Sequence, residues 1–191
     1  MFIPYDVKQA QADFKDALAE LGITAADLHL QIGYNTDANH ETKIEYLIQQ
    51  WKDAFGISVE AVGLEWGTYL DRLGSDPFDI FRLGWGADFP HPHNFLYDLT
   101  GCNSGNNNTG YCNEESDALM AQAAVTPDLA DQIPLYNQAQ ELIMADSPML
   151  TLRFSGRFSL VKPWVQNLVA TSQDSSTGEL FYAWITIAPH E

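Results

Sequence analysis

Between residues 39 and 55 the apolar positions are Ile44, Leu47, Ile48, Trp51, Ala54 and Phe55. They fall three or four apart, the spacing of one helix face, and predict a long helix that Gly56 ends. An earlier helix is predicted over 6–21, where Asp6 and Gln9 resemble a capping box and Ala10, Phe14, Ala17, Leu18 and Leu21 share a face. Gly22 is its natural stop. Leu28 to Tyr34 alternates apolar with polar and reads as a strand, followed by a turn at Asn35-Thr36-Asp37. Ile57 to Val62 reads as a second strand, Trp66 to Leu73 as a short helix, and Phe78 to Trp85 as a third strand, apolar enough to be central. Strand, helix, strand, helix, strand is the mark of an α/β layer with right-handed crossovers.

Beyond residue 85 the pattern changes. Residues 86–113 are rich in Gly, Pro and Asn and are too long for a plain connection, which points to a functional or disordered loop. Helices are predicted over 114–124 and near 134–145, the second with Leu135, Tyr136, Ala139, Leu142 and Ile143 on one stripe and Pro134 in its first turn. Met149–Phe154 and Arg157–Val161 read as strands joined at Ser155-Gly156, 163–179 as irregular, and 180–187 as a final strand. No repeat or linker marks a second domain, so residues 1–191 are expected to form one α/β (mixed α+β) domain, a central mixed sheet flanked by helices.

Composition narrows the function. The 46% apolar share is enough for a core and excludes a disordered chain. Nine Lys and Arg against 26 Asp and Glu give a net charge of −17, which repels phosphate backbones and anionic lipid and so argues against nucleic-acid and membrane-surface partners. No apolar run approaches the ~18–20 residues that cross a bilayer. The first residues, Met1-Phe2-Ile3-Pro4, carry neither the basic nor the apolar region of a signal peptide; the chain is then cytoplasmic, or its leader is absent from this sequence. Cys102 and Cys112 flank a polar loop that a disulfide would close, worth roughly 2–3 kcal/mol and placing the protein in an oxidising compartment. Two free thiols are the alternative; a zinc site is weaker, because the loop has no histidine.

The densest chemistry is Arg82-Leu83-Gly84-Trp85-Gly86-Ala87-Asp88-Phe89-Pro90-His91-Pro92-His93-Asn94, where a buried strand runs into a loop, the usual place for a ligand in an open α/β sheet. Gly84 and Gly86 let backbone come close to a ligand, and Trp85 offers a flat apolar wall. Asp88 and Arg82 supply opposite charges, as a zwitterion needs. Each residue also has a structural reading. Arg82 fits an ion pair with Asp79 or Asp88, Asp88 a turn cap, and Trp85 or Trp66 core packing. His40 fits an exposed polar residue, or a contact to a ligand anion from the start of the long helix. Asp88, His91 and His93 could form a metal site. No G-x-S-x-G, H-E-x-x-H, C-x-x-C or P-loop occurs, so no enzyme is expected and no cofactor is implied. Glu114-Glu115 opens a helix, where the dipole favours acids anyway.

The stretch from Phe78 to Pro90 resembles the FD-x-x-R-x-GW-x-AD segment of the oligopeptide- and dipeptide-binding proteins of ABC importers, solute-binding protein family 5. Four further pieces follow the family's order: Tyr34-Asn35-Thr36 with His40, Glu65-Trp66-Gly67-Thr68-Tyr69-Leu70, Leu135-Tyr136 with Ala139-Gln140, and Leu160-Val161-Lys162-Pro163-Trp164-Val165. The resemblance implies a periplasmic-binding-protein type II-like lobe, the C-terminal lobe of a larger protein whose N-terminal lobe and leader lie outside this sequence. It also implies an extracytoplasmic receptor, periplasmic or a cell-surface lipoprotein, that binds peptides and delivers them to ABC permease subunits. The ligand-binding residues it points to are Asp88 for the peptide ammonium, Trp66 and Trp85 as aromatic walls, His40 and Arg82 for the carboxylate, with Gly86 and Asn94 beside them. Where some members carry a cysteine this chain has Gly86, and where some carry an arginine for short peptides it has Leu73, so peptide length is open. Three alternatives remain: a metal-binding or metal-dependent hydrolytic lobe using Asp88, His91 and His93; a family member that binds nickel or an oligosaccharide; or an interaction module that self-associates through an exposed apolar face.

Overall fold

The computed structural model describes residues 5–37, 39–154, 156, 158–171 and 178–189. The chain packs as two compact units, Met1–Gly84 and Trp85–Glu191.

The first unit contains helix α1 (Val7–Leu21), strand β1 (Leu30–Asn35), helix α2 (His40–Phe55), strand β2 (Val59–Leu64), helix α3 (Trp66–Ser75) and strand β3 (Ile80–Phe81). Asp6 caps α1 by accepting from the backbone N–H of Gln9, and α1 and α2 stop at left-handed glycines, Gly22 and Gly56. The strands form a parallel sheet in the order β2-β1-β3. The crossover from β1 to β2 through α2 and the one from β2 back past β1 to β3 through α3 run across the sheet in opposite directions, and with the same hand they put their helices on opposite faces. Ile32 and Tyr34 of β1 pack with Ile44 of α2 and with Ile57 and Val59; on the other face lies a core of Tyr69, Leu73 and Phe78.

The central strand is therefore β1, not the 78–85 segment, which keeps only two paired residues at the sheet's edge. Its ladder stops because hydrogen bonding at Arg82 turns elsewhere. The Arg82 N–H still reaches Gly33 O at 2.9 Å, but the Arg82 carbonyl accepts from the buried Tyr69 hydroxyl at 2.6 Å. Burial pushes the Tyr69 phenol up to about 12 and keeps it a donor across the physiological range. Beyond Arg82 the ladder does not continue, and residues 83 and 84 are irregular.

The second unit is mainly helical: α4 (His93–Thr100), α5 (Glu114–Val125) and α6 (Leu129–Asp146) surround Met120, Ala123, Tyr136, Ala139 and Ile143. The expected long loop over 86–113 contains α4. Helix α6 starts five residues before Pro134, capped by Asp128, so Pro134 lies inside the helix and not in its first turn. The segments 149–154 and 158–161 form no strand; Phe154, Phe158 and Leu160 are almost fully exposed, with no neighbouring strand among the described residues to complete a ladder. Ser155 and Arg157 of that predicted hairpin lie outside the described residues. The final predicted strand is a 3₁₀ turn over Glu179–Trp184 followed by β5 (Thr186–Ile187), which pairs antiparallel with β4 (Val165–Gln166). Parallel and antiparallel pairing thus occur in two separate sheets. No helix among the described residues is long and apolar enough to cross a membrane.

Cys102 and Cys112 are joined in a disulfide. The enclosed loop is tied down by polar bonds: the Cys102 N–H donates to Asp117, and the Asn107 amide donates to the carbonyls of Gly101 and Tyr111. Replacing both cysteines by serine is expected to lower unfolding free energy by about 2–3 kcal/mol, read as an earlier midpoint in urea.

Candidate functional site

In an open α/β sheet the crevice forms at the carboxyl ends of neighbouring strands whose connections diverge. Here those strands are β1 and β3, and their ends bring Asn35 and Arg82 together: the Arg82 guanidinium donates to Asn35 Oδ1 at 3.0 Å. His40 opens α2 just beyond β1. It is buried rather than exposed, and its Nδ1 lies 3.5 Å from Lys43 Nζ. Asp79, the other acid considered for Arg82, accepts the Gln31 N–H at 2.8 Å. Trp66 opens α3 behind the cap of Glu65, whose carboxylate accepts from the N–H groups of Gly67 and Thr68. At 42% exposure the Trp66 indole is not core; its ring centroid lies 6.2 Å from that of Tyr69. Positive charge, an imidazole and an open aromatic face are thus carried at this end of the first unit.

The second unit builds its cluster around Asn94, whose side chain is fully buried at 0% exposure. Its Oδ1 accepts from Trp85 Nε1 at 3.0 Å and from the Asp88 N–H at 2.9 Å. Its Nδ2 donates to Asp88 Oδ2 at 3.2 Å and to Asp98 Oδ2 at 2.6 Å. Those four bonds satisfy the amide completely, two accepted and two donated. Asn94 thus shapes the site from beneath: it fixes the half-buried Trp85 ring and the solvent-exposed Asp88 carboxylate from the protein side. Gly86 lies between them with open space where a Cβ would stand. Sequence reasoning missed Asp98. The signal was available: it follows Asn94 by four positions on a helix, so the two share a face.

His91 and His93 do not join Asp88 in a metal site. The His91 Nδ1 accepts from the His93 N–H at 3.2 Å, which leaves the proton on Nε2, donated to Gln132 Oε1 at 2.8 Å. His93 stacks on Tyr97, and its Nδ1 lies 3.0 Å from the Tyr136 hydroxyl. Both rings line a cavity of about 230 Å³ with Phe89, Ala124, Gln132 and Tyr136. Among the described residues no three His, Cys, Asp or Glu side chains are grouped to hold a metal.

The family described as "Bacterial extracellular solute-binding proteins, family 5 Middle" matches residues 2–107, more than half of the 191. The chain belongs to this family. The matched stretch takes in both residue clusters, running from ahead of α1 to beyond α4. Family 5 is one of solute-binding proteins, not of enzymes. Among family 5 relatives, the "Oligopeptide-binding protein OppA" of Bacillus subtilis is 33% identical over 181 residues, 93% of this chain and 32% of that protein. The "Periplasmic oligopeptide-binding protein OppA" of Escherichia coli is 34% identical over 152 residues, 79% of this chain and 28% of that protein. The crystal structure of Haemophilus influenzae OppA in complex with RPPGFSPFR matches with a TM-score of 0.76 at 27% identity, over 95% of this chain and 35% of that one. The chain therefore has the type II periplasmic-binding-protein fold of these relatives and spans about a third of their length.

Proposed function

We propose that this family 5 chain captures peptides outside the cytoplasm, as the C-terminal ligand-binding lobe of a two-lobe protein that hands them to an ABC permease. The lobe reading rests on the share of its relatives' length that the chain spans. The compartment and the peptide rest on what those relatives are named for, periplasmic oligopeptide binding, and on the peptide bound to one of them. The observation that carries the reading is local. An exposed carboxylate, Asp88, is held in one orientation beside an indole by a buried amide with no bonding capacity to spare. A carboxylate preset in this way suits a peptide ammonium, because it needs little reorganisation on binding. Trp85 supplies a flat surface for the first residues of the ligand. At the ends of β1 and β3, Arg82 carries the charge suited to a carboxylate, His40 an imidazole for the same end, and Trp66 an apolar wall.

The test is an amide NMR titration of the 191-residue chain with trialanine and, in parallel, with N-acetyl-trialanine. Resonances over 82–95 are expected to shift with the free amine and to lose most of that response on acetylation. Equal responses to both would move recognition away from Asp88.

A further inference from the structure

Asp88 cannot orient itself. It sits on an irregular stretch between β3 and α4, and its carboxylate is exposed. Asn94 holds it from the protein side, at both its N–H and its carboxylate, and Asn94 is held by its own set of partners. An asparagine amide can turn over, exchanging oxygen for nitrogen. Here Trp85 Nε1 and the Asp88 N–H can only donate, so they demand the oxygen. The acids Asp88 and Asp98 demand the nitrogen. Of the two acids, Asp98 makes the short contact, 2.6 Å against 3.2 Å, and it lies within α4, one turn beyond Asn94. The Asp98 backbone is secured in turn, since its carbonyl accepts from Ser104 Oγ at 2.6 Å in the disulfide-closed loop.

We infer that Asp98 is a positioning residue for the ligand anchor: through the buried Asn94 amide it sets the orientation of both the Trp85 indole and the Asp88 carboxylate. This rests on the reading of Asp88 as the ammonium anchor, and it specifies how that anchor is preset. Without Asp98 one buried amide N–H loses its acceptor, and the short bond that ties the amide to α4 is gone, leaving three weaker partners to hold it. An asparagine at 98 keeps an acceptor oxygen in place, so the hydrogen bond can be separated from the charge.

The experiment compares the 191-residue chain with its Asp98→Asn and Asp98→Ala variants. Two quantities are read by NMR: solvent exchange of the Trp85 indole N–H, and the preference for trialanine over N-acetyl-trialanine. Asp98→Ala is expected to speed indole exchange by about tenfold and to cut the amine preference by a similar factor, the scale of one lost buried hydrogen bond. Asp98→Asn is expected to stay within about twofold of the parent, because it retains the acceptor. Parent-like indole exchange in Asp98→Ala overturns the inference. Should the parent show no amine preference, the ammonium reading falls, and the indole exchange alone still decides whether Asp98 positions the cluster. If Asp98→Ala does not give a folded chain, Asp98→Ser, whose hydroxyl is too short to reach the amide, takes its place under the same criteria.

Discussion

Asp88→Ala is expected to weaken binding of a peptide with a free N-terminus by tens-fold or more, and to leave the N-acetylated peptide nearly unaffected. The magnitude follows from removing one partner of a charge pair that becomes desolvated in the complex, about 2–5 kcal/mol. The low end of that range is already some thirtyfold. The chain's own net charge of −17 attracts any cation, so a generic electrostatic contribution has to be separated from the local one. Asp88→Asn does so: it is nearly isosteric, keeps an acceptor for Asn94, and removes only the charge. If Asp88 is the anchor, Asp88→Asn falls close to Asp88→Ala, and the loss persists at 0.5 M salt, roughly the ionic strength at which surface attraction is screened within a few ångströms. Calorimetry on the parent and both variants reads the outcome; unchanged affinity removes Asp88 from the ligand site.

The second large effect concerns folding. Gly33→Ala is expected to destabilise the first unit by about 3 kcal/mol, at the upper end of the usual cost of overpacking a core. Gly33 lies in the middle of β1, paired on both sides, and a Cβ added there would stand well under 3.0 Å from the Phe78 ring. The ring has nowhere to go. It is buried, its centroid lies 5.9 Å from that of Tyr69, and the Arg72 guanidinium sits 4.1 Å from its centre on the way to Gln31. Nor can β1 shift, because the Gly33 carbonyl accepts the Arg82 N–H and lies 3.2 Å from the Tyr69 hydroxyl. A urea titration followed by circular dichroism tests this, and a midpoint equal to the parent's would show that the Phe78 ring can yield. A paired Gly33→Ala, Phe78→Leu variant is expected to recover part of the loss, since it opens the volume the new methyl needs.

The parts of this molecule that were legible in the sequence are those with sustained periodicity or an unambiguous stop. Helices α1 and α2 carry an apolar stripe and end on glycine, and both appear within a residue of where the pattern puts them. Helix α4 was not legible. It is eight residues long, lies in a stretch whose composition signals a loop, and owes its position to Asn94 and to packing of Leu96 and Tyr97 on the α5–α6 core. The extent of β3 was hidden for the opposite reason. Its residues are suitable for a strand, but a tertiary hydrogen bond from Tyr69 takes the carbonyl that a longer ladder would use. Pro134 misleads by the rule that favours proline at a helix start; the upstream cap at Asp128 was the better signal. In the site, Asp88 and Trp85 were legible as chemistry. That Asn94 is the buried element joining them, with Asp98 behind it, depends on a convergence of four hydrogen bonds that no linear spacing displays.

The bridge between Cys102 and Cys112 spans ten positions, so its closure needs no distant part of the chain. A loop of that size meets its own ends in roughly 10–100 ns, far faster than whole domains fold. Once a thiol oxidant is available, the order of events in biosynthesis is therefore not forced: the ring can shut on a nascent segment before α5 and α6 have docked. A local staple of this kind lowers the entropy still to be lost by the residues it encloses, among them Ser104, whose hydroxyl holds the last turn of α4. The fragment from 93 to 117 is thus a candidate for structure that outlasts the rest of the second unit during unfolding, with its slowest-exchanging amides near the crosslink and not in the longer helix α6.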